Sequence, residues 1–159
     1  MSIQDALTIL SGTFNGTTAT GQDLAQAAGN YLSTNTYDLG VARDVGKGEP
    51  FLAEFVVTTA FTSGGSATVQ LQIVQADNEA LSTNLEVLAQ TAAIPIASLT
   101  LGMRINLDWP RVEPYSARRY IGARYVIAVA TTTAGRIFCS LVKTAEDRKT
   151  YYASGFAVL

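Results

Sequence analysis

The most regular feature of the chain is an alternation of apolar and polar residues that begins at Phe51. In "FLAEFVVTTAF" (51–61), Phe51, Phe55 and Val57 fall on one face and Glu54 falls on the other. A period of two is typical of a half-buried β-strand. The same pattern recurs in "SATVQLQIVQAD", "MRINLDW", "RRYIGARYVIAVATTT" and "RIFCSLVK". The chain is therefore predicted to be all-β.

Glycine-containing turns separate two pairs of these strands. The sequence "TSGG" (62–65) lies between the first and second strands, and "TAG" (133–135) lies between the last two. Two alternating runs joined by a short glycine-containing turn are typical of a β-hairpin. We therefore predict two hairpins.

Two segments are ambiguous. In residues 78–101, leucines at helical spacing overlap an alternating run, and we favour two strands, "LEVLAQ" and "IPIASL", broken near Pro95. In residues 21–28 a short helix is an alternative to a loop, because Thr20 and Asp23 form a weak capping box.

The N-terminal part of the chain differs in composition from the rest. Residues 11–34 are small and polar, which predicts an extended arm or a surface loop. We therefore divide the chain into an N-terminal strand or arm (1–34) and a single β domain (35–159). About eight short strands with turns between them indicate a β-sandwich or a barrel.

The composition fits one well-packed domain. The 159 residues are 48% hydrophobic and only 15% charged, unlike a disordered chain. No apolar run approaches the roughly 18 residues that span a bilayer, and the N-terminus lacks the features of a signal peptide. We expect folding in a cytosol, with no membrane partner.

Histidine is absent and there is one cysteine. Histidine is the most frequent general base and metal ligand, so its absence argues against an enzyme and against a metal or other cofactor. Cys139 lies in a strand-like run without a histidine to activate it, and we predict that it packs in the core. A carboxylate pair of the glycosidase type remains open.

The charges are divided unevenly along the chain. Residues 1–100 carry nine acidic and two basic residues, a net charge of −7, whereas residues 101–159 carry nine basic and four acidic residues, a net charge of +5. Either the two halves neutralise each other within one chain, or they bring neighbouring copies together. The imbalance is too mild for a nucleic-acid interface.

The residues that favour turns, together with charged residues, are most concentrated in "YDLGVARDVGKGEPFLAEFVV" (37–57). A phosphate-binding loop needs Lys followed by Ser or Thr and then a helix, and this stretch lacks both. A calcium loop needs oxygen ligands at alternating positions, and here basic residues intervene. We therefore interpret the stretch as a structural corner, in which an aspartate side chain shapes a turn, glycines supply positive φ and a proline starts the next strand. Its residues are Asp38, Gly40, Arg43, Asp44, Gly46, Gly48, Glu49 and Pro50.

This corner carries a resemblance to a known family. The residues "DLG-ARD-G-GEP", followed by "TAFTSGGSATVQLQ", resemble the Bbp16-type capsid cement proteins of tailed bacteriophages. Three later features fit the same family: "WPRVEPYSARRYIGARY", the "TAG" turn and the closing residues Tyr152, Ser154, Gly155 and Phe156. The resemblance covers roughly residues 35–157, and the long segment 11–34 departs from it.

The resemblance implies a jelly-roll-like β-sandwich that binds the exterior of a bacteriophage capsid shell and stabilises it. The implied partners are the major capsid protein and the chain itself, as a homodimer or homotrimer, on a virion assembled in the host cytoplasm. Aromatic and arginine side chains are favoured at such interfaces. The richest stretch runs from Trp109 to Tyr120, and its candidate contacts with the capsid or with another subunit are Trp109, Arg111, Tyr115, Arg118 and Arg119.

Other interpretations of these features remain open. The stretch from Trp109 to Tyr120 is alternatively a solvated loop whose aromatic residues Trp109 and Tyr120 pack inward. The arm at 11–34 crosses a neighbouring subunit, packs locally or is disordered. For the whole chain, the alternative function is a carbohydrate- or receptor-binding β-sandwich module of a phage tail.

Overall fold

The computed structural model describes residues 6–42, 51–108 and 117–142, and these ranges are built of antiparallel β-strands. The strands are β1 (Ile9–Ser11), β2 (Thr13–Phe14), β3 (Ala19–Thr20), β4 (Gln22–Asp23), β5 (Gly29–Leu32), β6 (Tyr37–Asp38), β7 (Leu52–Ser63), β8 (Thr68–Ala76), β9 (Glu86–Gln90), β10 (Ile94–Pro95), β11 (Arg104–Asp108), β12 (Tyr120–Ala128) and β13 (Thr132–Val142). Two short 3₁₀ turns span Ala6–Thr8 and Ile96–Ser98. The all-β prediction is confirmed.

The long strands form two sheets. The first has the order β1-β13-β7-β11, with β4 also paired to β13. The second has the order β10-β8-β12-β5, with β6 also paired to β12 and β9 to β8. A small ribbon of β2 and β3 lies apart from both. The arrangement is that of a β-sandwich.

The core lies between the inner faces of the two sheets. Phe55 of the first sheet meets Tyr125 of the second edge to face, with ring centroids 6.1 Å apart. The Tyr125 hydroxyl donates to Ser11 Oγ at 2.7 Å, which satisfies a buried polar group. Aliphatic side chains from both sheets complete this cluster, and each contributes about 1.5–3 kcal/mol by leaving water.

The two predicted hairpins are wrong. Strands β7 and β8 lie in different sheets, and so do β12 and β13. Each short connection crosses the core, and the long strands pair instead as β7 with β13 and β8 with β12. Alternation along a strand shows which face is buried, but it does not distinguish a neighbour in the same sheet from one across the core.

The two crossing connections lie side by side, and we call this end of the sandwich the arch end. Residues 64–67 join β7 to β8, and residues 129–131 join β12 to β13. The Ser63 hydroxyl donates to the Thr131 carbonyl at 2.6 Å, which ties the two connections together. The predicted turn at 133–135 lies inside β13, where the pairing with β7 shifts register. The observed turn instead includes Val129, at a φ of 73°.

The N-terminal segment packs along both sheets. Strands β1 and β4 pair with β13, and β5 pairs with β12. Leu24 is fully buried in the core, as is Leu10 of β1, so residues 11–34 pack in part on their own chain. A contact of this arm with a neighbouring subunit stays a prediction. The helix considered for residues 21–28 is wrong, because Gln22–Asp23 is strand β4 and residues 24–28 continue without helix.

The segment 78–101 contains strands and no α-helix among its described residues. The first predicted strand is confirmed as β9, although β9 begins one residue later than "LEVLAQ". The second is shorter than predicted: β10 covers only Ile94–Pro95, and a 3₁₀ turn follows at once. Because proline has no N–H to donate, Pro95 ends the pairing with β8 early.

Candidate functional site

The sequence-predicted residues that the structure describes meet at the end of the sandwich opposite the arch end. Tyr120, the first residue of β12, pairs with Asp38 of β6 on one side and with Ala76 of β8 on the other. We call this region the charged end. Leu52 of β7 pairs here with Asp108 and Val142 in the first sheet. Segments 43–50, 109–116 and 143–159, which lie outside the described residues, therefore all connect to this end.

Asp38 shapes a tight turn. Its Oδ1 accepts a hydrogen bond from the Gly40 N–H at 2.7 Å, and Gly40 has a φ of +78°, which favours glycine. The Leu39 N–H donates to the Arg119 carbonyl at 2.9 Å, so the turn is also tied to the start of β12. This local geometry is the Asx-type turn that the sequence suggested for Asp38.

The same aspartate holds Arg119 in a two-pronged ion pair. Arg119 donates from Nε to Oδ1 and from Nη2 to Oδ2 of Asp38, each at 2.7 Å. Its guanidinium also lies 5.0 Å from the centroid of the Tyr120 ring. The hydrogen bonds from Arg119, followed by the one from Gly40, lower the pKa of Asp38 to about 2. Hydrogen bonding to Asp38 in turn raises the pKa of Arg119.

Arg118 is held on the other side of Tyr120. Its Nη1 lies 2.9 Å and 3.0 Å from the two carboxylate oxygens of Asp77, and its Nε lies 3.8 Å from Glu86 Oε2. Buried Gln75 joins the group, because it accepts from the Arg118 backbone N–H and donates to Glu86. Hydrogen bonds from Asn84, and then from Arg118, lower the pKa of Asp77.

Residues 77–85, which we call the strap, cover part of the outer face of the second sheet. Asn78 organises the strap by accepting from the N–H groups of Ser82 and Thr83. Leu81 is buried and packs on Gly122 of β12, where an added Cβ would lie 2.4 Å from Leu81 Cδ1. Arg118, which lies two residues before β12, pairs with Asp77 at the start of the strap and with Glu86 just after its end, so it holds both ends of the strap beside β12.

The sequence-predicted contact residues thus divide into two groups. Arg118 and Arg119 are described, and both are paired with carboxylates of their own chain. The remaining candidate contacts and corner residues lie outside the described residues, and their roles stay predictions: Trp109, Arg111, Tyr115, Arg43, Asp44, Gly46, Gly48, Glu49 and Pro50.

Charges of the acidic and basic halves of the chain pair with each other in the fold. Five ion pairs join described residues, and each pairs an arginine from the basic half with a carboxylate from the acidic half. Besides those of Arg118 and Arg119, they are Arg104–Glu54 at 3.0 Å and Arg136–Asp23 at 3.5 Å. The interpretation that the halves neutralise each other therefore holds for these residues.

Arg124 is the exception, and the sequence analysis did not single it out. Among the described cations it alone lies in no ion pair, and its Nε donates instead to Gln72 Oε1 at 2.5 Å. Alternation along β12 places Arg124 on the outer face, but its lack of a carboxylate neighbour depends on pairing with β8 and β5, which are distant in sequence.

The single cysteine lies in the core, as predicted. Cys139 is buried, and its burial, followed by the nearby charge of Glu54, raises the pKa of its thiol well above the ordinary value. A thiol with a raised pKa is protonated at neutral pH and is a poor nucleophile. Cys139 therefore acts as a small packing residue.

Two open cavities adjoin the described residues. One, of about 470 Å³, lies between the strap and the segment that joins β5 to β6, and Glu79 is the charged residue on its wall. The other, of about 580 Å³, lies at the arch end beside Phe61 and Ile96. Within residues 6–42, 51–108 and 117–142, no three His, Cys, Asp or Glu residues are grouped to hold a metal ion. No helix in those ranges is long and apolar enough to cross a membrane.

Comparison with family models identifies the family of this chain. The family model Bbp16 matches residues 18–141, which include all strands of the second sheet and those of the first sheet except β1 and the last residue of β13. No curated protein matches the chain.

Proposed function

Because this chain belongs to the phage-related Bbp16 family, we propose that it is a structural virion protein that binds the outer surface of a bacteriophage capsid shell and stabilises it. The match over most of the chain is the observation that carries the proposal. The proposed partners are the major capsid protein and further copies of the chain itself.

The distribution of charge supports a role that depends on surface contact. Ion pairs within the chain neutralise four of the five described arginines, so the sandwich presents little net charge that would repel its own copies on a crowded shell. On a symmetric shell each copy meets an equivalent site, and linked weak contacts add up to firm binding. Modest contacts per chain are therefore sufficient for a cement protein.

The charged end is the part of the sandwich that we propose faces the shell. Its described residues include two arginines and Tyr120, residue types that are enriched at protein interfaces. The segment with Trp109, Arg111 and Tyr115 connects to the same end. Pairing to carboxylates fixes the orientations of Arg118 and Arg119, which reduces the entropy lost on binding.

The test is to add the purified protein to capsid shells that were assembled without it. We expect the protein to sediment with the shells and to raise the temperature at which they release their contents. If the supplemented shells neither bind the protein nor survive heating better, the proposal is wrong. Binding to isolated tails or to glycans in place of shells would instead favour the receptor-binding function.

A pair of variants localises the contact. Trp109→Ala and Arg111→Gln should each weaken binding to the shell, because truncating a central aromatic or arginine at an interface costs more than 1 kcal/mol. Arg136→Gln is the control, since Arg136 lies on β13 in an exposed pair with Asp23. Equal binding by all three variants would place the contact elsewhere on the molecule.

A further inference from the structure

We propose that the outer face of the second sheet around Arg124 is a recognition surface for an acidic side chain of the shell protein. The inference rests on the proposed function and names a second contact surface, separate from the charged end. The residues that form it are Arg124 of β12, Gln70 and Gln72 of β8, and Gln90 of β9, and we call them the glutamine patch.

A network of side-chain amides orients Arg124. Gln72 is 4% exposed, and its Oε1 accepts the Arg124 Nε at 2.5 Å. The Gln72 amide nitrogen donates to Gln90 Oε1 at 2.8 Å and to Gln70 Oε1 at 3.2 Å. The Gln70 amide nitrogen donates to the Thr91 carbonyl at 2.8 Å. Both the amide nitrogen and the amide oxygen of Gln70 and of Gln72 are bonded, so the network fixes the direction of the guanidinium.

The fixed guanidinium keeps unused donors. Arg124 bonds to Gln72 through Nε, and its two terminal nitrogens have no acceptor among the described residues. They are not among the buried polar atoms that lack a partner, so they face solvent. Two parallel N–H donors match a carboxylate in a two-pronged pair. Arg119 makes such a pair with Asp38 through Nε and Nη2, whereas Arg124 would use its two terminal nitrogens.

The charges of the chain itself argue for an external partner. The other four described arginines are each satisfied by a carboxylate of the same chain. The described carboxylates outside any ion pair are Glu79 on the strap and Asp108 at the end of β11, and neither pairs with Arg124. Among the described residues, Arg124 is therefore an oriented positive charge without a carboxylate partner, and an Asp or Glu side chain complements it.

The experiment compares variants of Arg124 in the binding of purified protein to shells assembled without it. Because a charge-assisted hydrogen bond to an ion contributes more than a neutral one, Arg124→Gln should weaken binding by roughly tenfold. Arg124→Lys keeps the charge but loses the two-pronged geometry, so its affinity should be intermediate. Arg136→Gln is the matched control, because it removes an exposed arginine that is already paired, and its binding should stay close to that of the unaltered protein.

Two further readouts separate recognition from folding. Thermal unfolding of each variant shows whether loss of the bond to Gln72 disturbs the sheet, and Arg124→Lys retains a donor for it. Binding of the unaltered protein should also weaken more steeply with added salt than binding of Arg124→Gln, since salt screens the proposed pair. If binding by a folded Arg124→Gln equals that of the unaltered protein, the inference is overturned while the proposed function stands.

The remaining outcomes are also decisive. If Arg124→Gln and Glu79→Gln both lower the oligomeric mass in solution and leave binding to the shell unchanged, the patch joins two copies of the chain and the inference is wrong. If the unaltered protein itself fails to bind shells, both the proposed function and this inference are wrong.

Discussion

The arch end and the charged end of the sandwich are held together by different forces. No charged residue lies in residues 55–76 or 125–135, the two stretches that contain the connections of the arch end and the strand segments that lead to them. The arch end is stabilised by its short connections between the two sheets, by hydrogen bonds of buried hydroxyl groups and by close packing. At the charged end, Asp38 and Arg119 pair while each remains close to half exposed. The difference indicates that packing stabilises the arch end more than charge does, and it is compatible with our proposal that the charged end contacts a partner.

The largest effect is expected at Gly135, at the arch end of β13. Its φ is +144°, and an added Cβ would lie 2.3 Å from Phe61 Cδ1. Gly135→Ala should therefore lower the free energy of unfolding by about 2–4 kcal/mol, through overpacking combined with backbone strain. Gly64→Ala is the control, because an added Cβ at Gly64 meets no atom within 4 Å. Denaturant unfolding measures both, and equal losses would refute the packing argument.

A smaller loss of stability is expected from substitution of Thr132, whose hydroxyl contacts three polar backbone groups at the arch end. Its one hydroxyl hydrogen is shared between the Leu24 and Gln26 carbonyls, at 2.5 and 3.1 Å, and its oxygen accepts from the Gln26 N–H. Thr132 is 1% exposed, so Thr132→Val should cost about 1–3 kcal/mol by leaving buried groups without partners. Thr133→Val, which removes an exposed bond to Thr62, should have a much smaller effect. A stable Thr132→Val would show that other interactions close this end.

The smallest effect on stability is expected at the charged end, and it should depend on pH and salt. Since the pKa of Asp38 is about 2 in the folded chain and about 3.9 in an unfolded one, the ion pair stabilises the fold above pH ~4, and this contribution is lost as the pH falls towards 2. Asp38→Asn should therefore be less stable than the unaltered protein at pH 6 and similar to it at pH 2. Added salt of about 1 M should narrow the difference at pH 6. A difference that persists at pH 2 would assign the effect to the turn and not to the charge.

The sequence predicted the local features of the fold better than its long-range pairing. Alternation correctly assigned inward faces, as for Phe55 and Tyr125, because burial of one face follows directly from a period of two. It could not assign strand partners, since a connection such as 64–67 is short enough either for a hairpin or for a crossing between sheets. The turn at Val129 was also missed, because a β-branched residue rarely adopts positive φ.

The candidate site shows the same division between local and distant features. The turn at Asp38 depends on Gly40, two residues away, and was visible in the sequence. The pair between Asp38 and Arg119 spans 81 positions and depends on the pairing of β6 with β12. The isolation of Arg124 depends likewise on the strands beside it. Such features require the fold, because the sequence gives the charge of each residue but not its neighbours.

The position of the chain in assembled particles tests the central claim most directly. A three-dimensional reconstruction of virions should show the β-sandwich on the exterior of the shell, at equivalent sites, with one of its surfaces against the major capsid protein. Density for the sandwich on the tail alone, or virions that lack the protein, would contradict the account.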